Sequence, residues 1–184
     1  MKSPPTTDQS SPAQQEEEEE RQYEMSRFIG LSDDVFAFAM TLLVVNLLPY
    51  ADFGAAPSPA QFFQHLISPA FLDHLLSFVL SLFIIGHVWY THHVLFRYII
   101  KCDLRLFRLN LTLLLCVAFM PFPTDLLSRY GDAIIAAFYA GILALLNVLM
   151  QLLWWYASAH HRLLRPTLEQ NVITSIHVRI QRAS

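Results

Sequence analysis

Long stretches of this chain carry almost no charge. Residues 71–96 hold a single formal charge, Asp73, and residues 133–159 hold none. About 20 residues of apolar helix span the roughly 30 Å of hydrocarbon in a bilayer. Four such stretches in 184 residues would leave a soluble domain too little amphipathic helix to cover its core. The sequence therefore predicts an all-α integral membrane protein with four transmembrane helices.

The predicted spans are separated by short polar or proline-containing segments. They run over about 28–48, 71–96, 109–127 and 132–159. Pro121 and Pro123 lie near the end of the third span, where proline removes a backbone donor and clashes with the preceding turn. We therefore expect a kink there, and a short interfacial turn near residues 61–67.

The two ends of the chain are polar. Residues 1–26 are rich in Ser, Pro, Gln and Glu, include glutamates at all positions from 16 to 20, and contain no apolar signal-peptide core. Such a composition buries too little apolar surface to order a chain. We expect a disordered acidic tail over residues 1–26, a four-helix transmembrane domain over 27–160, and a second tail over 161–184.

Basic residues are spread unevenly among the segments that connect the spans. The segment between the first and second spans has none, and the segment between the third and fourth has only Arg129. The segment between the second and third contains four, namely Arg97, Lys101, Arg105 and Arg108. Because basic residues are retained in the cytoplasm, this multi-pass protein should have both termini there.

Polar residues stand at the beginning of the first span. Ser32 can cap a helix at this point, and the carboxylates of Asp33 and Asp34 suit the positive end of its dipole. Carboxylates at a membrane boundary are costly unless they are paired or hydrated. This structural interpretation accounts for the acidic residues without a function.

An apolar stripe follows these residues along the same helix. Phe38, Leu42 and Val45 fall at i, i+4 and i+7, which places them on one helical face. Thr41 lies beside the stripe, and Asp34 lies one turn before Phe38. Periodicity alone favours packing against a neighbouring helix, with pore lining as the alternative.

The order of these residues resembles the first helix of the transmembrane protein 175 family of potassium channels, which occurs in bacteria and in endolysosomal membranes. The matching pattern, from Arg27 to Val44, is Arg-x-x-x-[apolar]-Ser-Asp-x-Val-Phe-Ala-x-Ala-x-Thr-Leu-Leu-Val. Trp-x-x-His-His-x-Leu-Phe-Arg at 89–97 resembles the end of the family's second helix. The segment 113–130, with its Pro-Phe-Pro bend, resembles the third. The resemblance covers about residues 27–159.

The resemblance implies a leak-type potassium channel in a bacterial cell membrane, assembled as a homotetramer. In this family the first helix of each subunit lines a central pore. The Thr-Val-Gly-Tyr-Gly filter of ordinary potassium channels is absent from the family and from this sequence. A large apolar side chain forms the constriction instead, five residues after the motif aspartate.

That rule identifies candidate pore residues. The residue five positions after Asp33 is Phe38, where the family has isoleucine. An apolar constriction can gate by dewetting, so that ion selectivity depends on pore size and a few polar groups. The resemblance thus implies pore layers at Phe38, Leu42 and Val45 and a pore hydroxyl at Thr41. We add Asp34, whose charge would attract cations at the cytoplasmic mouth.

The resemblance also implies an anchor for the cytoplasmic end of the pore helix. Polar residues of the first helix would be tied to the end of the second helix. The residues of this predicted anchor are Arg27, Ser32, Asp33, Trp89 and His92.

The sequence departs from the family pattern at some points, and two alternatives follow. Leu31 stands where the family has phenylalanine. Bacterial members have six helices per subunit, whereas four are predicted here, so a non-conducting accessory subunit is one alternative. Facing histidines at 92–93 and 160–161 would suit a four-helix haem protein, but we favour interfacial histidines, hydrogen-bonded to lipid headgroups or to the motif carboxylates.

Other classes of protein lack their signatures in this sequence. There is no His-x-x-x-His or Cys-x-x-Cys spacing for zinc, no nucleophile elbow and no phosphate-binding loop. We therefore expect no enzymatic activity, no metal or cofactor, and no nucleic-acid partner. The expected partners are potassium ions, bilayer lipids and further copies of the chain.

Overall fold

The computed structural model describes residues 11–50, 58–99 and 102–159, and most of these residues are helical. A 3₁₀ turn at Leu48–Tyr50 follows the first helix. The α-helices are α1 (Pro12–Val45), α2 (Pro59–Leu66), α3 (Pro69–Phe96), α4 (Leu104–Phe119), α5 (Pro121–Tyr130) and α6 (Ala133–Ala159).

Four helical segments are long and apolar enough to cross a bilayer. They are α1, α3, the consecutive helices α4 and α5 taken together, and α6. Their outer surfaces are apolar, since Leu76, Phe83 and Ile134 are 68%, 74% and 84% exposed. Lipid chains solvate such side chains without the penalty that water imposes. The prediction of an all-α membrane protein with four spans is confirmed.

The first helix begins much earlier than the sequence predicted. We expected disorder over residues 1–26, but α1 starts at Pro12; residues 1–10 lie outside the described part of the chain. Pro12 occupies the first helical position, and the side chain of Gln14 accepts a hydrogen bond from the Ser11 N–H at 3.0 Å. Glutamate and glutamine favour helix, which the compositional argument for disorder did not weigh.

The third span is broken where the two prolines occur. The break falls at Met120, between α4 and α5, and the Met120 N–H bonds to the carbonyl of Val117 at 3.1 Å. Proline at 121 cannot donate to that carbonyl, so a tighter turn replaces the α-helical bond. The third span is therefore interrupted at the prolines, where the kink was predicted. Gly131 then ends α5 in the left-handed conformation, with φ of 62°.

The start of the third span differs from the prediction. Asp103 caps α4 by accepting from the Leu106 N–H at 2.8 Å, so the helix begins at Leu104 rather than near residue 109. Arg105 and Arg108, which the sequence assigned to a loop, therefore lie on the first turns of α4.

The spans pack around one core with α1 on one side. α1 contacts α3, α4 and α5, whereas α6 contacts α4 and α5. Large enclosed side chains come from every span, among them Phe36, Ile85, Leu113 and Trp154. This arrangement buries one face of α1 and leaves its opposite face exposed.

Candidate functional site

A chain of buried polar side chains joins α1 to α3 and α4. Asn110 on α4 donates from Nδ2 to the Ser32 hydroxyl on α1 at 2.9 Å. Its Oδ1 lies 2.7 Å from His92 Nε2 on α3, and because an amide oxygen can only accept, Nε2 is the donor. All three residues are at most 1% exposed. The amide of Asn110 is therefore the central link of this chain.

The Ser32 hydroxyl also acts as a donor within α1. Its hydrogen is donated to the Phe28 carbonyl one turn earlier, at 3.1 Å. Polar groups in an apolar interior are costly unless they are hydrogen-bonded, and here the links run in one direction from His92 to Phe28. These linked hydrogen bonds fix the rotation of α1 against its two neighbours.

A second polar contact ties α1 to α3. The indole Nε1 of Trp89 donates to the carboxylate of Asp33 at 2.8 Å, in a half-buried position. The Trp89 ring also lies 5.6 Å from the ring of His93. A hydrogen bond to a charged acceptor is stronger than one between neutral groups, so this contact adds to the buried chain at Asn110.

Aromatic rings surround the polar chain. His92 lies 4.3 Å from Phe96 and 5.4 Å from Phe36, measured between ring centroids. Phe28 lies 5.5 Å from Phe96 and 5.6 Å from Phe107. The rings exclude solvent from the hydrogen bonds, which raises the cost of breaking them.

Arg27 occupies a different place from the rest of the predicted anchor. Its side chain is exposed, and the guanidinium carbon lies 5.8 Å from the centre of the Tyr23 ring on the same helix. Ser32, Asp33, Trp89 and His92 are brought together at the α1–α3–α4 junction. The structure thus places four of the five predicted anchor residues at one junction.

The predicted pore residues lie mostly on the exposed face of α1. Phe38 and Val45 are 61% and 51% exposed, and Asp34 and Thr41 are exposed as well. Leu42 is half-buried and lies at the edge of this face. We call Asp34, Phe38, Thr41 and Val45 the open face of α1.

The Thr41 hydroxyl has a defined orientation on the open face. It donates to the carbonyl of Phe38 at 2.8 Å. The hydrogen is therefore directed along the helix, and the oxygen lone pairs remain available to a cation.

Sequence reasoning missed Asn110, which holds the site together. An asparagine in a mostly apolar span was the available signal, because polar residues inside membrane helices usually have a partner. The sequence alone did not show which residues on the other helices would be in reach.

A further polar cluster lies beside the break in the third span. Thr124 Oγ1 is 2.9 Å from Ser81 Oγ, and Ser81 Oγ is 2.9 Å from the hydroxyl of Tyr139. These residues connect α5, α3 and α6. In addition, Asn46, directly after α1, donates from Nδ2 to the Pro121 carbonyl at 2.8 Å.

The start of α4 is tied to the end of α6. The carboxylate of Asp103 accepts a hydrogen bond from the hydroxyl of Tyr156. Burial and the neighbouring Asp103 charge raise the pKa of the Cys102 thiol, which precedes α4, to about 11. This thiol therefore stays protonated, and slow to react, at neutral pH.

The histidines of the haem alternative are only partly described. His92 is committed to Asn110, and His93 packs against Trp89. His160 and His161 lie outside the described residues. Within residues 11–50, 58–99 and 102–159 there is no cluster of three or more His, Cys, Asp or Glu side chains suited to a metal ion.

Four apolar spans, with the first held by buried polar contacts on one face and open on the other, define a polytopic helical membrane protein. The profile of the TMEM175 family, described as the endosomal/lysosomal potassium channel TMEM175, matches residues 27–121, which is over half of the chain. The chain belongs to this family. The matched region contains the anchor, the open face and the break at Met120.

Individual proteins extend this similarity beyond residue 121. A potassium channel of Streptomyces collinus is 30% identical over 85% of this chain and 75% of its own length. A potassium channel of Chamaesiphon minutus is 32% identical over 84% of this chain and 76% of its own length. The family and these relatives are channels, which do not form a class of enzymes.

The fold is also shared with a solved structure. The crystal structure of a lysosomal potassium-selective channel TMEM175 homolog from Chamaesiphon minutus superposes with a TM-score of 0.69 at 27% identity. The likeness covers 87% of this chain and 80% of that one.

Proposed function

We propose that this chain assembles as a homotetramer around α1 and conducts potassium ions passively, as a leak-type channel. Membership of a potassium-channel family supports potassium as the conducted ion, and so do two relatives that are named potassium channels. The observation that carries the pore assignment is the open face of α1. It presents a carboxylate and a hydroxyl outward from a membrane-spanning helix, although its neighbours Phe36, Ala39 and Leu43 are at most 1% exposed.

A position at a symmetry axis of the oligomer would explain the exposure of the open face. An ionised Asp34 facing lipid would be costly, whereas a water-filled vestibule would hydrate it. Copies of α1 around an axis would bring the four faces together and bury the exposed apolar area of Phe38 and Val45. Helices that line such an axis need one open side, and α1 has contacts to α3, α4 and α5 on its other side.

The order of residues along this face suggests their roles. Asp34 comes first from the cytoplasmic side and would raise the local concentration of cations. Phe38 follows one turn later and would form the constriction, where an apolar ring can block ions by dewetting. Thr41 would offer its hydroxyl oxygen to a passing cation, and Val45 would form the next apolar layer. Half-buried Leu42 would support the wall from its edge.

The expected orientation follows from the basic residues. Arg97, Arg105 and Arg108 are exposed near one end of the bundle, the end at which α1 enters. The positive-inside rule favours a cytoplasmic location for this end and for both termini. The relatives from Streptomyces and Chamaesiphon are consistent with a bacterial cell membrane.

Potassium flux into liposomes tests the proposal directly. Purified wild-type protein should pass potassium down its gradient, and Phe38→Ala should increase the flux by about tenfold because a smaller side chain widens and wets the constriction. Phe83→Ala is the matched control, since Phe83 is 74% exposed on α3 and away from the open face. Flux equal to that of empty liposomes for both wild type and Phe38→Ala would overturn the channel proposal and favour an accessory subunit.

A further inference from the structure

The C-terminal end of α1 has a polar contact of its own, remote from the anchor at Asn110. Asn46 follows the last residue of α1, and its Nδ2 donates to the Pro121 carbonyl at 2.8 Å. Its backbone N–H still bonds to the Leu42 carbonyl at 3.3 Å, which continues the helical pattern. The backbone of Asn46 thus continues the helix, while its side chain extends to the neighbouring span.

The acceptor of this bond lies at the break in the third span. Pro121 is buried and begins α5, directly after the interrupted turn at Met120. Because Pro121 is the first residue of α5, the helical backbone sets the direction of its carbonyl.

The break is itself fixed from its far side. Thr124, one turn into α5, lies 2.9 Å from the hydroxyl of Ser81 on α3 and 2.9 Å from the Met120 carbonyl. Ser81 in turn lies 2.9 Å from the Tyr139 hydroxyl on α6. These side chains are at most 5% exposed. Asn46 thus connects the end of α1 to a point that two other spans hold in place.

We infer that Asn46 is a positioning residue that sets where the C-terminal end of α1 lies relative to the other spans. Among the described residues, the side-chain hydrogen bond of Asn46 holds this end, whereas the opposite end has the bonds at Ser32 and Asp33. Val45 directly precedes Asn46. The position of Asn46 therefore determines the distance between the Val45 side chains of neighbouring subunits. The consequence for the pore rests on the proposed function; the attachment to the break does not.

Distances between spin labels on neighbouring subunits give the test. Leu48 and Leu31 are 64% and 46% exposed and lie near the two ends of the membrane-spanning part of α1. Each would be labelled as a single cysteine in a Cys102→Ser, Cys116→Ser background. Asn46→Leu keeps the branched shape and the number of heavy atoms of the side chain and removes the donor, and Asn147→Leu on α6 is the matched control.

The expected result is confined to one end of α1. In Asn46→Leu the population of displaced positions at label 48 should rise roughly two- to tenfold, as loss of one hydrogen bond allows. The distribution at label 31 should not change, and Asn147→Leu should leave both labels as in wild type. Asn46→Gln, which retains an amide donor, should restore much of the narrow distribution at label 48.

Two outcomes would overturn the inference. One is a distribution at label 48 that is the same in Asn46→Leu and wild type; the other is equal broadening at both labels. If Asn46→Leu does not fold, Asn46→Asp replaces it, because a carboxylate keeps the size but presents oxygen to the Pro121 carbonyl. Long distances at both labels in wild type would instead contradict the pore assignment, while the comparison of Asn46 variants would still decide the role of Asn46.

Discussion

The two faces of α1 differ in how far their side chains are exposed. Phe36, Ala39 and Leu43 point into the bundle and are at most 1% exposed, whereas Phe38 and Val45 are 61% and 51% exposed. Both faces belong to one apolar helix of similar composition. Their difference shows that hydrophobicity inserts α1 into the membrane, while its contacts with α3, α4 and α5 determine its rotation.

The polar residues of α1 follow the same division. Ser32 is buried and linked to Asn110, whereas the Thr41 hydroxyl is exposed and bonds only to its own helix. Substitutions on the buried face should therefore act on stability. Substitutions on the open face should act on ion flux and leave the free energy of unfolding almost unchanged.

The largest expected contrast is between two phenylalanines that are two residues apart. Phe36→Ala should lower the free energy of unfolding by about 3–5 kcal/mol because it leaves a cavity in an enclosed site. Phe38→Ala should lower it by less than about 1 kcal/mol, since Phe38 is 61% exposed. Unfolding of detergent-solubilised protein, followed by circular dichroism, measures both. Equal losses would show that the two faces are not distinct in the folded protein.

The next largest effect on stability is expected from removing the amide of Asn110, the central link of the buried polar chain. Asn110→Leu should cost about 1–3 kcal/mol, because the Ser32 hydroxyl and the His92 ring both lose a partner without solvent to replace it. Asn147→Leu, a half-buried amide on α6, should change stability by less than about 0.5 kcal/mol in the same unfolding assay. An Asn110→Leu protein as stable as Asn147→Leu would contradict the role given to Asn110.

A smaller effect is expected at the contact between Trp89 and Asp33. Trp89→Phe keeps an aromatic ring and removes the donor, and should cost about 1 kcal/mol because the site is only half-buried. Trp155→Phe, at a tryptophan 63% exposed on α6, is the control and should have no measurable effect on thermal unfolding. A control that loses as much stability would assign the effect to general loss of indole area.

Changes of about the same size or smaller should come from the two hydroxyls of α1. Ser32→Ala should cost about 1 kcal/mol, since it leaves the Asn110 amide with an unpaired donor. Thr41→Val keeps the side-chain volume and should change the free energy of unfolding by no more than about 0.5 kcal/mol. In liposomes the order should reverse, with Thr41→Val changing the potassium flux more than Ser32→Ala. If Ser32→Ala had the larger effect in both assays, the functional division between the two faces would be contradicted.

The spans were predictable because transmembrane hydrophobicity is a local property of the sequence. Their number agrees with the structure, and so does the break at Pro121. The helical extension before residue 27 was not predicted, because a glutamate-rich segment satisfies the compositional criteria for disorder and also those for a capped helix. Local rules conflict there, and the structure favours helix from Pro12.

The site was predictable only in part. The resemblance assigned an anchor and a pore, and these roles stay proposals. The anchor residues are Arg27, Ser32, Asp33, Trp89 and His92, and the pore residues are Phe38, Leu42, Val45 and Thr41. Asn110 is separated from Ser32 by 78 positions in the chain. No local pattern links residues at that separation, so their hydrogen bond could be found only when the helices were placed in space.

By itself the sequence determined that this chain crosses a membrane as helices, because an apolar segment in a bilayer has to satisfy its backbone hydrogen bonds internally. It also determined the order of residues along α1. Only the tertiary structure decided which side of α1 is buried, since rotation of a nearly uniform apolar helix is free until it packs. The buried hydrogen bond of Ser32 with α4 and the half-buried one of Asp33 with α3 fix that rotation. They leave Asp34, Phe38, Thr41 and Val45 on the open face.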